Sequence, residues 1–280
     1  MISEYNQCTL NSEVSLSGQG LHSGAECSIT LHPGEPDTGI VFVTERGEVR
    51  ARAENVCDTR RGTSLANGDA RVSTVEHLLA AFAGMRVDNA RVEVRGPEIP
   101  IGDGSALPFV EMIERAGTEA QSAARSEVNL TGPIWTNDSD KYLLAVRSEG
   151  LTVRLLILFA HPMIGEQAVS LSVTPEVFKR EIAPARTFCT YEEVEPILKQ
   201  GLGLGGREDN VVICYDDHYS VPLRYVNEFA RHKLLDLIGD LSLIGGRLHA
   251  DVTAIKPSHT LNVRLADKIA HVVASSKQGG

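Results

Sequence analysis

Apolar and polar positions along this chain follow two rhythms. Short stretches at residues 26–31, 39–43 and 91–94 read as strands, and so do 142–146, 153–159, 167–173 and 250–255. Residues 9–16 alternate imperfectly and are read the same way. Longer stretches with apolar residues three and four apart predict helices over 74–83, 108–116, 175–182, 191–200, 227–243 and 261–275. Each half of the chain thus runs strands first and helices after, with no repeat visible in the sequence itself. That segregation predicts an α+β fold of layered sheets and helices rather than a doubly wound parallel sheet. The small, polar stretch 117–125 is the expected boundary, dividing a first α+β domain (residues 1–122) from a second (residues 126–280).

The helix expected at 227–243 carries apolar residues at Phe229, Leu234, Leu235, Leu237, Ile238 and Leu241. Through it runs a polar stripe of Glu228, His232, Asp236 and Asp240, each four residues after the last, so all four lie on one helix face. One histidine among three acids, on a helix suited to burial, calls for partners or a metal. The stripe alone fits a salt-bridged surface helix equally well.

A second helix starts near Ser73-Thr74-Val75-Glu76-His77. Ser73 with Glu76 three residues on has the spacing of a capping box, and Gly84 is a suitable stop. On that reading Glu76 is a structural carboxylate and His77 fills the core. Taken with the later helix, His77, His232 and Asp236 make a two-histidine, one-carboxylate set. Three protein ligands with one open position is the pattern of catalytic zinc, and Glu76 beside a ligand is placed to act as general base. The ligands come from opposite halves, so the metal would join two domains, a common place for a ligand site.

At these residues the chain resembles the UDP-3-O-acyl-N-acetylglucosamine deacetylases of lipid A biosynthesis. The motifs that carry the resemblance run in order along nearly the whole chain. They are Gly20-Leu21-His22-Ser23-Gly24, Ser73 to His77, Asp88-Asn89, the run from Pro97 to Ser105, Ala185-Arg186-Thr187-Phe188, Gly203-Leu204-Gly205-Gly206, His232 to Asp236, and Ser258-His259-Thr260-Leu261-Asn262. The resemblance implies two similar domains with their helices packed between two sheets, each domain carrying a small insert, here near residues 40–62 and 189–216. It implies His77, His232 and Asp236 as zinc ligands and Glu76 as base. It makes His259 the general acid, oriented by Asp240, and Thr187 a donor to the oxyanion. Phe188, Lys233 and Lys256 are implied to face the substrate, with Lys141 and Phe159 serving its nucleotide. It also implies a monomer in the cytoplasm. Two positions depart from the family: Ser258 stands where a Gly is usual, and Ser64 aligns where some members carry a Cys near the metal. A Gly needing φ > 0 would make Ser258 a strained substitute.

Composition narrows the picture further. The chain has 280 residues, enough for two domains with real cores. No apolar run reaches the ~18 residues of a membrane span, and residues 1–6 do not start a signal peptide. Transient contact with a membrane surface stays open. Five cysteines, an odd number without a C-x-x-C pair, predict reduced thiols rather than a disulfide framework. A net charge of −10 and the lack of a basic run argue against nucleic-acid binding. Residues 275–280 read as a frayed tail. Zinc and iron(II) compete for the same ligand set, the outcome depending on affinity order and availability. The expected reaction is hydrolysis of the N-acetyl group of a UDP-linked acylated amino sugar, with a bell-shaped pH profile. Rival readings are a zinc amidohydrolase acting on another N-acyl sugar, and a noncatalytic metal staple between domains.

Overall fold

The computed structural model describes residues 5–278, with side chains up to 275. Two sheets of like topology form its frame. The first half contains β1 (Asn6–Leu10), β2 (Val14–Gln19), β3 (Glu26–Pro33), β4 (Ile40–Thr44), β5 (Gly47–Arg50), β6 (Val56–Asp58), β7 (Ser64–Asn67), β8 (Ala70–Val72), α1 (Glu76–Gly84), β9 (Ala90–Arg95), α2 (Leu107–Ala116) and β10 (Thr118–Ala124). The second contains β11 (Glu127–Asn129), β12 (Ile134–Asp138), β13 (Lys141–Arg147), β14 (Leu151–Leu158), β15 (Glu166–Ser172), α3 (Pro175–Val177), β16 (Phe188–Thr190), α4 (Tyr191–Lys199), β17 (Val212–Cys214), α5 (Glu228–Ser242), β18 (Arg247–Ile255) and α6 (His259–Gln278).

The first sheet has the order β2-β3-β9-β4-β5 and the second β12-β13-β18-β14-β15. In both, the fifth strand to form enters between the second and third, antiparallel to one and parallel to the other. A helix leads into that strand (α1, α5) and another follows it (α2, α6). This is the duplicated α+β architecture expected, although the two sequences share no visible repeat.

Each sheet buries one face. Cys27, Ile29 and Leu31 on β3, Val92 and Val94 on β9, and Val153, Leu155 and Ile157 on β14 point inward, with more exposed residues between them. That alternation is the two-residue period of a half-solvated sheet. The helices between the sheets are covered far more fully. Every residue of α1 from Glu76 to Phe82 is buried, and α5 is buried along most of its length. At their crossing, a Cβ on Gly239 would lie 2.1 Å from the Glu76 carbonyl oxygen, so only glycine permits this approach.

Several local expectations change. Residues 9–16 split into β1 and β2, which belong to different sheets. The stretch 117–125, expected as a linker, contains β10, held antiparallel to β1. The chain therefore crosses from one sheet system to the other after Ala124, where β11 joins β18. The first insert is narrower than 40–62: β4 and β5 belong to the main sheet, and the separate unit is the three-stranded β6-β7-β8. The second insert, parallel β16 and β17 with α4 between them, falls where expected. Residues 175–182 form a short α turn followed by a π turn over Phe178–Ile182 instead of one regular helix. The tail read as frayed belongs to α6 as far as Gln278; residues 279–280 lie outside the described residues.

The capping box at Ser73 is absent. Helix α1 starts at Glu76 with Val75 as its N-cap, and no side chain caps it. The Glu76 carboxylate reaches across to the Thr63 amide instead, at 2.9 Å. Ser258 is also unstrained: the left-handed residue of its loop is Lys256, at φ 52. Ser258 caps α6, its Oγ accepting from Leu261 N (3.4 Å) and its carbonyl from Asn262 N (2.8 Å).

Candidate active site

The polar stripe on α5 is buried throughout: Glu228, His232, Asp236 and Asp240 each expose 2% or less. That settles the stripe against a solvated face. Its four members serve three different neighbours.

Glu228 is engaged elsewhere: it accepts from Arg186 Nε at 2.8 Å, Arg186 N at 3.1 Å and Arg224 N at 2.6 Å. This buried pair fixes the segment carrying Thr187 and Phe188. The Thr187 amide donates to the Gly104 carbonyl at 2.8 Å, and its carbonyl accepts from Val212 N. Gly104, with φ +84, packs so closely that a Cβ would lie 1.9 Å from the Asn210 carbonyl oxygen. The Gly102-to-Ser105 turn thus supports Thr187 through the main chain. Phe188 lies edge-on to His232, with centroids 6.2 Å apart, and Phe159 lies 5.7 Å from Phe188.

His232 and Asp236 meet His77 from α1. Both histidine Nε2 atoms face Asp236 Oδ1, from 3.5 Å (His77) and 3.4 Å (His232). One ligand atom from each of the three residues lies within 4.8 Å of the others. Among the described residues, Asp236 Oδ1 and His77 Nδ1 are buried without a hydrogen-bond partner. Bonds of about 2.0–2.1 Å in a tetrahedron set neighbouring ligand atoms roughly 3.4 Å apart. The spacing and the orphaned carboxylate oxygen therefore fit a divalent ion with these three ligands. His232 donates from Nδ1 to the Ala185 carbonyl at 3.1 Å, which leaves the Nε2 lone pair for a ligand. Burial, partly opposed by Asp236 and with the charges of His77 and Lys233 adding, pushes His232 down to about 3, the direction ligation requires. Burial opposes the charge on Asp236, but His232, Lys233, His77 and His259 outweigh it and hold the carboxylate well below its usual range.

Asp240 binds a third histidine. His259 Nδ1 lies 2.9 Å from Asp240 Oδ2, and its Nε2 lies 3.8 Å from Asp236 Oδ2. Burial alone would lower His259, yet Asp240, the hydrogen bond to it, Asp236 and Glu76 raise it to about 9. Glu76 is raised as well, in its case by burial, partly opposed by His259 and His77. The pocket therefore joins a carboxylate held toward its neutral form to an imidazole held toward its charged form.

The lysines are distributed unevenly. Lys233 Nζ lies 2.9 Å from Asp236 Oδ2 and 5.7 Å over the Phe188 ring, at the edge of the cluster. Lys256, expected to face the substrate, is ion-paired with Asp140. Lys141 adjoins that pair at the start of β13. Ser64 is buried at the start of β7. The position directed at Glu76 is Gly62, where a Cβ would lie 3.0 Å from Oε1. The sequence reading also missed Thr63, which contacts both Glu76 and Asp240. No periodicity or spacing marks it, because it stands at the end of a loop before a four-residue strand.

A duplicated α+β scaffold with a buried two-histidine, one-carboxylate cluster at the meeting of its halves is that of a metallohydrolase. A family model described as LpxC, UDP-3-O-acyl N-acetylglycosamine deacetylase, matches residues 7–271, and the chain belongs to this family. It is 45% identical over 271 residues to the UDP-3-O-acyl-N-acetylglucosamine deacetylase of an Anaeromyxobacter species, covering 95% of this chain and 88% of that protein. It is 42% identical over 273 residues to the deacetylase of the same description from Myxococcus xanthus, covering 95% and 87%. The protein is a deacetylase, hence an amide hydrolase. Among the described residues, no helix is long and apolar enough to cross a membrane.

Proposed function

We propose that this chain removes the N-acetyl group of UDP-3-O-[(R)-3-hydroxyacyl]-N-acetylglucosamine, the committed step of lipid A biosynthesis, acting as a monomer in the cytoplasm. The observation that carries the reading is the convergence of Glu76 and His259 on the cluster of His77, His232 and Asp236. These three residues would hold the metal, read as zinc with iron(II) as its competitor. When bound, the ion supplies Lewis acidity toward the acetyl carbonyl and the attacking water.

Glu76 takes a proton from the water as its oxygen attacks the acetyl carbon. Thr187 donates a hydrogen bond to the developing oxyanion, where one such donor is typically worth about 2.7–4 kcal/mol. His259, charged through Asp240, hands its proton to the glucosamine nitrogen as the C–N bond breaks. The products are acetate and the free amine. Phe188 and Phe159 would line the substrate's path, and Lys233 would face it beside the metal. Lys141 and Lys256 would meet the diphosphate, Lys256 by exchanging Asp140 for it.

The test is turnover of this substrate by the purified chain, with and without a chelator, followed by zinc add-back. Activity that disappears and returns supports the reading. Turnover of simple N-acetyl sugars in preference to the UDP-acyl-sugar would move the chain to another amidohydrolase specificity.

A further inference from the structure

Thr63 is fully buried, and each of its polar groups engages a different part of the site. Its amide donates to Glu76 Oε2 at 2.9 Å. Its carbonyl accepts from Val75 N at 3.1 Å, at the start of α1. Its hydroxyl donates to Asp240 Oδ1 at 2.6 Å and lies 3.4 Å from His259 Nδ1. His259 Nδ1 already donates to Asp240 Oδ2, so it offers no lone pair and the threonine proton goes to Oδ1.

We propose that Thr63 is a positioning residue that ties the Glu76 carboxylate to the Asp240–His259 pair, its hydroxyl setting the rotation of Asp240 and thereby the aim of His259. The inference rests on the reading of Glu76 and His259 as proton carriers given above.

The geometry makes the case in two steps. The two main-chain bonds to Val75 and Glu76 bracket the start of α1, so the position of the hydroxyl is fixed by backbone. Asp240 then receives three donors: Thr63 Oγ1 on Oδ1, and His259 Nδ1 and Asn262 Nδ2 (2.9 Å) on Oδ2. Among the described residues, only the Thr63 bond holds Oδ1. Without it the buried carboxylate can turn about the Cβ–Cγ bond, and the ring hydrogen-bonded to Oδ2 turns with it. Glu76 keeps its amide donor in any Thr63 variant. Loss of the hydroxyl therefore acts on the acid side of the site alone.

The experiment uses the full-length, metal-loaded chain with the acylated UDP-N-acetylglucosamine, measuring kcat, KM and bound metal. Partners of this outer kind typically cost about 10–100-fold in activity when removed, and that fall in kcat is expected for Thr63→Val. KM and metal content should stay near those of the parent. Thr63→Ser keeps the hydroxyl and should recover most of the rate. In an Asp240→Asn background, Thr63→Val should add little, because coupled partners are non-additive. The proposal is overturned by a Thr63→Val chain with parental kcat, by a Thr63→Ser chain as slow as Thr63→Val, or by a full further loss in the Asp240→Asn background. A Thr63→Val chain that cannot hold the metal or fold also overturns it, since positioning leaves the ligands in place. Glu76→Ala and His259→Ala, assayed alongside, separate the two levels. Parental rates in those variants sink the proton-carrier reading. Slow ones beside a parental Thr63→Val sink only the role of Thr63.

Discussion

Gly239 on α5 lies so close to Glu76 on α1 that a side-chain carbon there would stand 2.1 Å from the Glu76 carbonyl oxygen. The contact brings one helix with His77 against another with His232 and Asp236. Glycine inside a helix ordinarily costs about 1 kcal/mol relative to alanine. Here the missing Cβ allows the crossing that brings the candidate ligand set together.

Gly239→Ala should therefore destabilise the protein despite alanine's better helix propensity. Overpacking of this kind costs roughly 1–3 kcal/mol. The separation of the helices should also weaken metal binding. Chemical unfolding and metal titration check both effects. A more stable variant with unchanged metal affinity would refute the account.

Glu76→Gln keeps the shape and an oxygen for the Thr63 amide, yet removes the basic group. The expected fall in kcat is about 10²–10⁴-fold, the usual contribution of a general base. Metal content measured on the same sample should remain at the parental level. Parallel loss of metal and rate would mean that Glu76 acts mainly in holding the ion.

Ser258 should prove stabilising rather than strained. Its hydroxyl caps α6, so Ser258→Ala is expected to cost about 0.5–2 kcal/mol and Ser258→Gly only a few tenths. Equilibrium unfolding in denaturant orders the three chains. A Ser258→Gly protein more stable than the parent would restore the idea of backbone strain at this position.

The cysteines should differ sharply in reactivity. All five are free. Burial, with the Glu193 carboxylate adding, pushes Cys189 up to about 11, and burial with Cys189 and Glu193 pushes Cys214 up to about 12. A raised thiol pKa leaves the unreactive neutral form dominant below it. At pH 8 only about one Cys189 in a thousand, and fewer Cys214, would be thiolate. Iodoacetamide followed by peptide mass spectrometry should label exposed Cys57 first, with Cys189 gaining as pH rises toward 10. Equal labelling of Cys57 and Cys214 at pH 8 would contradict this ordering.

The strand and helix rhythm, the α+β class and the shared face of His232 and Asp236 were legible in the one-dimensional pattern, whereas the meeting of His77 with them joins distant parts of the chain. Local periodicity reports which face of an element is buried, and a histidine and carboxylate four apart on a helix share a face wherever that helix packs. The common strand order of the two sheets was not legible, because pairing β9 between β3 and β4, or β18 between β13 and β14, joins residues far apart in the chain. Tertiary packing also divided a uniform stripe into Glu228 paired with Arg186, His232 and Asp236 gathered with His77, and Asp240 bonded to His259. It drew Glu76 from a cap to the Thr63 amide and turned Lys256 toward Asp140. Those assignments depend on which buried donor meets which acceptor. That is decided by the close crossing of α1 and α5, and spacing along a single helix does not encode it.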